Sequence, residues 1–102
     1  MKRVFVCSPY RGDVEANTAR AVALCRAIAL AGDAPFAPHL FLPRALDDGD
    51  ADERRLGIAA GLSWLAVADE IVVAGPLSKG MRREIVAANE IGLPIRFLEG
   101  EW

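Results

Sequence analysis

The sequence predicts an α/β fold: a three-layer, Rossmann-like or flavodoxin-like domain with a mostly parallel sheet of four to five strands and helices on both faces. Three observations carry this expectation. Short apolar runs such as Val4–Cys7 and Ile71–Ala74 read as buried strands. Longer segments between them repeat their apolar residues at helical spacing. Pro and Gly punctuate the joins. Strands that alternate with helices imply parallel pairing with right-handed crossovers, and a ligand site beyond the carboxyl ends of the strands.

Val4-Phe5-Val6-Cys7 is the first strand, and Ser8-Pro9-Tyr10-Arg11-Gly12-Asp13 is the loop that ends it. Asp13 is a suitable N-cap for an Ala-rich helix from about Val14 to Ala31, stopped by Gly32-Asp33. Its expected buried side is Val14, Ala21, Leu24 or Cys25, and Ile28. Ala34 to Ala37 is a weaker strand, followed by Pro38-His39-Leu40-Phe41-Leu42-Pro43. Arg44 to Asp52 is polar and acidic and reads as a mobile loop. A second long helix is predicted over Asp52 to Val67, burying Leu56, Ile58 or Ala59, Leu62 and Leu65-Ala66. The third strand is Ile71 to Ala74, and a third long helix spans Gly80 to Ile91 with Met81, Ile85, Ala88 and Ile91 or Gly92 inward. Pro94 to Leu98 closes the order as the last strand.

The 102 residues suffice for one domain with one modest core. A net charge of −2 with both signs mixed points away from nucleic acid and from a membrane surface. The two cysteines, Cys7 and Cys25, form no metal or redox motif, and buried thiols in a reducing, cytoplasmic setting are expected. No metal or cofactor is implied. A small α/β domain leaves much surface uncovered, so a homo-oligomer, a dimer or higher, is expected.

Three loops converge beyond the strand ends: Ser8–Asp13, Pro38–Pro43 and Gly75–Gly80. The last leads into a strand–turn–helix unit, which places backbone N–H groups and partial positive charge at one point. Glu84, in the second turn of that helix, projects between Met81 and Ala88 on the apolar arc, with Arg82, Arg83, Asn89 and Glu90 on the far side. A carboxylate there either pairs with an arginine at the edge of the arc or works inside a site. Ser78 is either an N-cap accepting from a backbone N–H near Met81 or an anion ligand. In the first loop, Ser8, Tyr10, Arg11 and Gly12, with Asn17 a turn further on, suit a phosphate or a ribose. The plainer alternative is a β–α turn with a solvated arginine. His39, the single histidine, is either polar surface or a group that touches a base or carries a proton.

Ser78-x-Gly80-Met81-x-x-Glu84, after a strand ending Val72-Val73-Ala74, resembles the signature of the nucleoside 2-deoxyribosyltransferase superfamily. The opening Val4 to Gly12, with Asn17 beyond it, resembles that superfamily's first strand and nucleotide-binding loop. Trp64-Leu65 and Ala68-Asp69 are similar to the related deoxynucleoside monophosphate N-glycosidases. Pro38-His39-Leu40, Asp47-Asp48, Glu53-Arg54 and Gly57-Ile58 extend the likeness to small bacterial and phage members over nearly the whole chain. The resemblance implies a nucleoside or nucleotide as the small-molecule partner. It implies Glu84 as nucleophile at C1′ of the (deoxy)ribose. On physical grounds, the helix N-terminus is expected to keep that carboxylate ionised despite partial burial. Tyr10 would orient that carboxylate, and Ser78, with Gly80 and Met81 at the same turn, would hold a 5′-phosphate or the sugar. One position departs: the superfamily's enzymes carry an aspartate three residues before the tryptophan, which handles the base's proton, and here it is Gly61. Substitutes would be His39, Asp47, Asp48 or Glu53; the alternative is a non-catalytic nucleotide-binding or sensing module.

Overall fold

The computed structural model describes residues 1–100. Four strands, β1 (Arg3–Cys7), β2 (Ala34–Phe36), β3 (Glu70–Val73) and β4 (Ile95–Phe97), form one sheet in the order β2-β1-β3-β4. All three pairings are parallel, with Val6 opposite Val72 and Val73 opposite Phe97. The helices are α1 (Val14–Leu30), a short α2 (Leu42–Ala45), α3 (Ala51–Leu65) and α4 (Lys79–Glu90). The flavodoxin-like order reverses between β1 and β3, and that switch point is where such sheets open a crevice at their carboxyl ends.

The alternation of β1 distributes the core. Phe5 and Cys7, with Ile71 and Val73, pack beneath Leu65 of α3 and Met81 and Ala88 of α4. Val4, Val6 and Val72 face the other way, onto Ile28 of α1. Both faces of the sheet are covered, which is why the central strands read as unbroken apolar runs.

The caps follow the local chemistry. Asp13 accepts from Ala16 N at 3.1 Å and Ser78 from Met81 N at 3.2 Å. Asp50, rather than Asp52, starts α3, accepting from the backbone N–H groups of Asp52 and Glu53. After β3 the chain turns at Gly75, whose φ of +87° only glycine adopts without strain.

Several expectations need correction. The stretch from Arg44 to Asp52 is not an open loop. It holds the end of α2 and a turn in which Asp47 Oδ1 accepts from Gly49 N at 2.9 Å and Glu53 Oε1 from Asp47 N at 3.0 Å. Val14 is exposed because it lies at the open first turn of α1. On α3 the buried stripe runs through Gly61 and Leu65, so Leu56 and Ala66 point outward, while of Ile58 and Ala59 it is Ile58 that turns inward. Gly57 and Gly61 have no side chain to hold α3 away from the preceding segment; a Cβ at Gly61 would stand 3.5 Å from Pro38 Cβ. Ile91 caps α4 and is exposed, and Arg83, expected outside, is half-buried.

Candidate active site

A cavity of about 290 Å³ opens at the carboxyl ends of β1 and β3. Ser8, Tyr10 and Arg11 come from the β1–α1 loop. Ser78, Lys79, Gly80, Met81, Arg83 and Glu84 come from the start of α4. The remaining wall is built from residues 38–62: Pro38, His39, Leu42, Pro43, Leu46, Asp48, Arg54, Gly57, Ile58, Gly61 and Leu62. Eight residues singled out in the sequence (Ser8, Tyr10, Arg11, His39, Ser78, Gly80, Met81 and Glu84) are thus brought together. Gly12 and Asn17 are not part of the wall. Gly12 supplies a positive-φ turn, and Asn17 is buried, its amide donating to the carbonyls of Tyr10 and Arg11 at 3.2 Å each. Asn17 therefore shapes the loop that presents Tyr10.

Glu84 is the site's most perturbed carboxylate. Burial pushes its pKa up to about 7, against smaller opposing contributions from the Cys7 thiol and the Arg83 guanidinium. The expectation that the helix N-terminus keeps it ionised is not met. Glu84 is in the second turn of α4, and the field of a helix end fades within the first. Nor does it form the arginine pair of the plainer reading: among the described residues it has no salt bridge. Cys7, at the end of β1, lies beneath it. The thiol has two acceptors in reach, the Met81 carbonyl at 3.7 Å and the Glu84 carboxylate. Burial first, then the negative charge of Glu84, pushes that thiol up out of the ionising range.

His39 shares a hydrogen bond with Ser8, Oγ to Nε2 at 3.2 Å, and its ring lies 5.7 Å from that of Tyr10. Burial lowers its pKa to about 4, so the imidazole is neutral at pH 7. Arg11 reaches across the mouth to Asp48 at 2.8 Å. Asp47 and Glu53 are used in the turn before α3 and do not line the cavity. Among the described residues no three His, Cys, Asp or Glu side chains converge as a metal site requires.

The sequence reading missed Cys7, Arg54, Lys79 and Arg83 as site components. The strand alternation was a usable signal for Cys7, since it shares a face with Phe5. Arg54 has no such signal, because it reaches the site only through the fold of residues 38–50.

A family match now covers residues 2–98. The chain belongs to the DUF7768 family, described as a domain of unknown function. The 2-deoxyribosyltransferase of the psychrotolerant bacterium Bacillus psychrosaccharolyticus has a similar structure, with a TM-score of 0.77 at 16% identity. The alignment covers 93% of this chain and 70% of that one. This DUF7768 chain therefore has the α/β fold of that transferase, as the sequence motifs led one to expect. No functionally curated protein matches the chain. No helix among the described residues is long and apolar enough to cross a membrane.

Proposed function

We propose that the protein is an N-glycosidase or deoxyribosyltransferase-like enzyme acting on a nucleoside or nucleotide, with Glu84 as the nucleophile. One observation carries this reading: a desolvated carboxylate without an ion pair sits in a cavity at the switch point of the sheet. Burying such a group costs stability, and a fold keeps it where it has work to do. The fold shared with a 2-deoxyribosyltransferase supports the same reading.

In the reaction, the C1′–N bond breaks and its electron pair moves onto the base. The oxocarbenium-like centre is trapped by a Glu84 oxygen, which forms a C1′–O ester. Water or a second base then attacks C1′ and returns the carboxylate. Tyr10 orients Glu84 and the sugar. Ser78, Gly80 and Met81 at the start of α4 take the 5′-phosphate or sugar hydroxyls, with Lys79 and Arg83 adding positive charge. Ser8, Arg11 and His39 complete the rim, and Gly12 and Asn17 hold the backbone of the first loop.

The test is base release from a panel of ribo- and deoxyribonucleotides, read by chromatography for the native chain and Glu84→Ala. Release by the native chain alone is the expected result; equal traces would end the proposal. A second reading, a non-catalytic nucleotide-binding or sensing module, is favoured by the bare Gly61 wall. A nucleotide that raises the melting temperature and survives long incubation intact would select it. Self-association through the outward stripe of α3, where Leu56 is 62% and Trp64 55% exposed, belongs to the same proposal, and light scattering checks it.

A further inference from the structure

The cavity has two unlike sides, and the difference bears on the leaving group. The side that carries Ser8, Tyr10, Ser78 and Glu84 is polar. The wall from residues 38–62 presents mostly carbon, from Pro38, Leu42, Ile58 and Leu62, and bare backbone at Gly61. Its three polar side chains are all unsuited to protonating a base at pH 7. His39 is a neutral ring tied to Ser8. Asp48 accepts from Arg11 at 2.8 Å. The guanidinium of Arg54 does not give up its proton.

A neutral purine or pyrimidine that leaves C1′ takes both electrons of the C1′–N bond and needs a proton to become a good leaving group. A ring nitrogen that already bears positive charge needs none. We infer that the substrate class of this site is a mononucleotide with a cationic pyridinium base, of the nicotinamide type, which departs as a neutral molecule. The inference rests on the Glu84 reading and specifies its substrate. The C1′–N bond breaks, its electrons neutralise the pyridinium nitrogen, and a Glu84 oxygen bonds to C1′. Water then attacks C1′, giving the sugar hydroxyl, the free carboxylate and one proton to solvent.

Three further features agree. Among the described residues Glu84 has no salt bridge, and a pyridinium beside C1′ brings the opposite charge that favours its ionised form. Tyr10 lines the cavity with an aromatic ring able to receive that cation. A volume of about 290 Å³ suits one nucleotide unit rather than two.

The experiment compares nicotinamide mononucleotide with adenosine, cytidine and deoxyadenosine monophosphates, each rate divided by its own rate in buffer. We expect the enhancement for nicotinamide release to exceed that for the neutral bases at least about 100-fold, the low end of what a missing general acid costs. Glu84→Gln should abolish it. Gly61→Asp places a carboxyl on the apolar wall, where a Cβ meets Pro38 at an ordinary 3.5 Å. It should raise neutral-base release relative to nicotinamide release, and Gly61→Asn, of equal size without the acid, should not. Equal or greater enhancement for the neutral bases in the native chain overturns the pyridinium inference and leaves the Glu84 reading intact. An equal gain from Gly61→Asn also overturns it. No release of any base from any substrate overturns both.

Discussion

Glu70 and Glu84 lie at opposite ends of the parallel sheet, and their surroundings push them in opposite directions. Glu70 opens β3 at the amino-terminal end, where Lys2 reaches one oxygen at 3.1 Å and Arg96 the other at 3.0 Å. Desolvation raises its pKa, but the hydrogen bonds from Arg96 and Lys2 outweigh this and hold the carboxyl below its usual range. Beside it, Asp69 is held low chiefly by the Arg3 backbone N–H, which donates at 2.8 Å. Glu84, at the carboxyl end, is desolvated without such partners and rises to about 7. A carboxylate that ties strands together is paired and stays ionised. Glu84 is left without a basic partner, and its ionisation is poised near neutral pH, as the proposed chemistry asks of a working carboxylate.

The largest effect should come from removing the unpaired charge. Glu84→Gln keeps the shape of the side chain and removes the proposed nucleophile, so base release should fall by at least about 1,000-fold, as expected for loss of a nucleophile. In the native chain, kcat/KM should rise with pH through about 7 and then level, if the ionised carboxylate reacts as proposed. The same profile in Glu84→Gln would assign the ionisation to another group. Glu70→Gln, at the paired end, should leave the profile where it was.

This contrast also marks how far the sequence can be read. The apolar runs of β1 and β3 and the helical spacing of α1 and α4 follow from local pattern, because a two-sided core demands them. The inward direction of Glu84 follows from helical period, and the cap at Ser78 from a hydroxyl standing just before the helix. What lies between Pro38 and Asp50 does not. It folds as a 3-10 turn, the short α2 and a turn built from side-chain bonds, none of which has a strong period. That segment supplies most of the apolar wall, so the sequence placed the Pro38–Pro43 loop at the site but not the fold that packs Leu42 and Leu46 into its wall. The ionisation of Glu84 was misjudged for a related reason. Helix position is local, whereas desolvation depends on everything packed around the group.

Stability gives the next effect in size, and the signs are opposite for the two half-buried titratable groups of the site, Glu84 and His39. Glu84 has a folded pKa of about 7 against an ordinary 4.5. Between those values the folded chain holds a proton that the unfolded chain has lost, so stability falls as pH rises through this window. His39 is lowered from 6.5 to about 4, so its contribution is lost as pH falls through that range. The two slopes oppose each other over the overlap, and native stability should be nearly flat there. Glu84→Gln removes the first slope. Its stability relative to the native chain should grow from pH 4 to pH 8 by up to about 3 kcal/mol. Chemical denaturation at several pH values measures this, and a constant gap would show that Glu84 is not desolvated in solution.

The smallest effect lies at the paired end. Glu70→Gln breaks the links to Lys2 and Arg96, both of which are more than half exposed, so water and salt already screen them. The expected loss is under about 1 kcal/mol at low salt, and it should shrink as ionic strength rises. Because the folded pKa of Glu70 is lowered, its contribution is present above the ordinary carboxylate range and is lost as pH falls through the folded value. That direction is the reverse of the one expected for Glu84. Salt-dependent denaturation of the two glutamine variants side by side makes the decisive comparison. Glu70→Gln should converge on the native chain in high salt, while Glu84→Gln should not, since salt screens an ion pair but does little to the desolvation of a half-buried carboxylate. If both variants respond alike to salt, the two glutamates share one environment, and the distinction between a structural and a working carboxylate is lost.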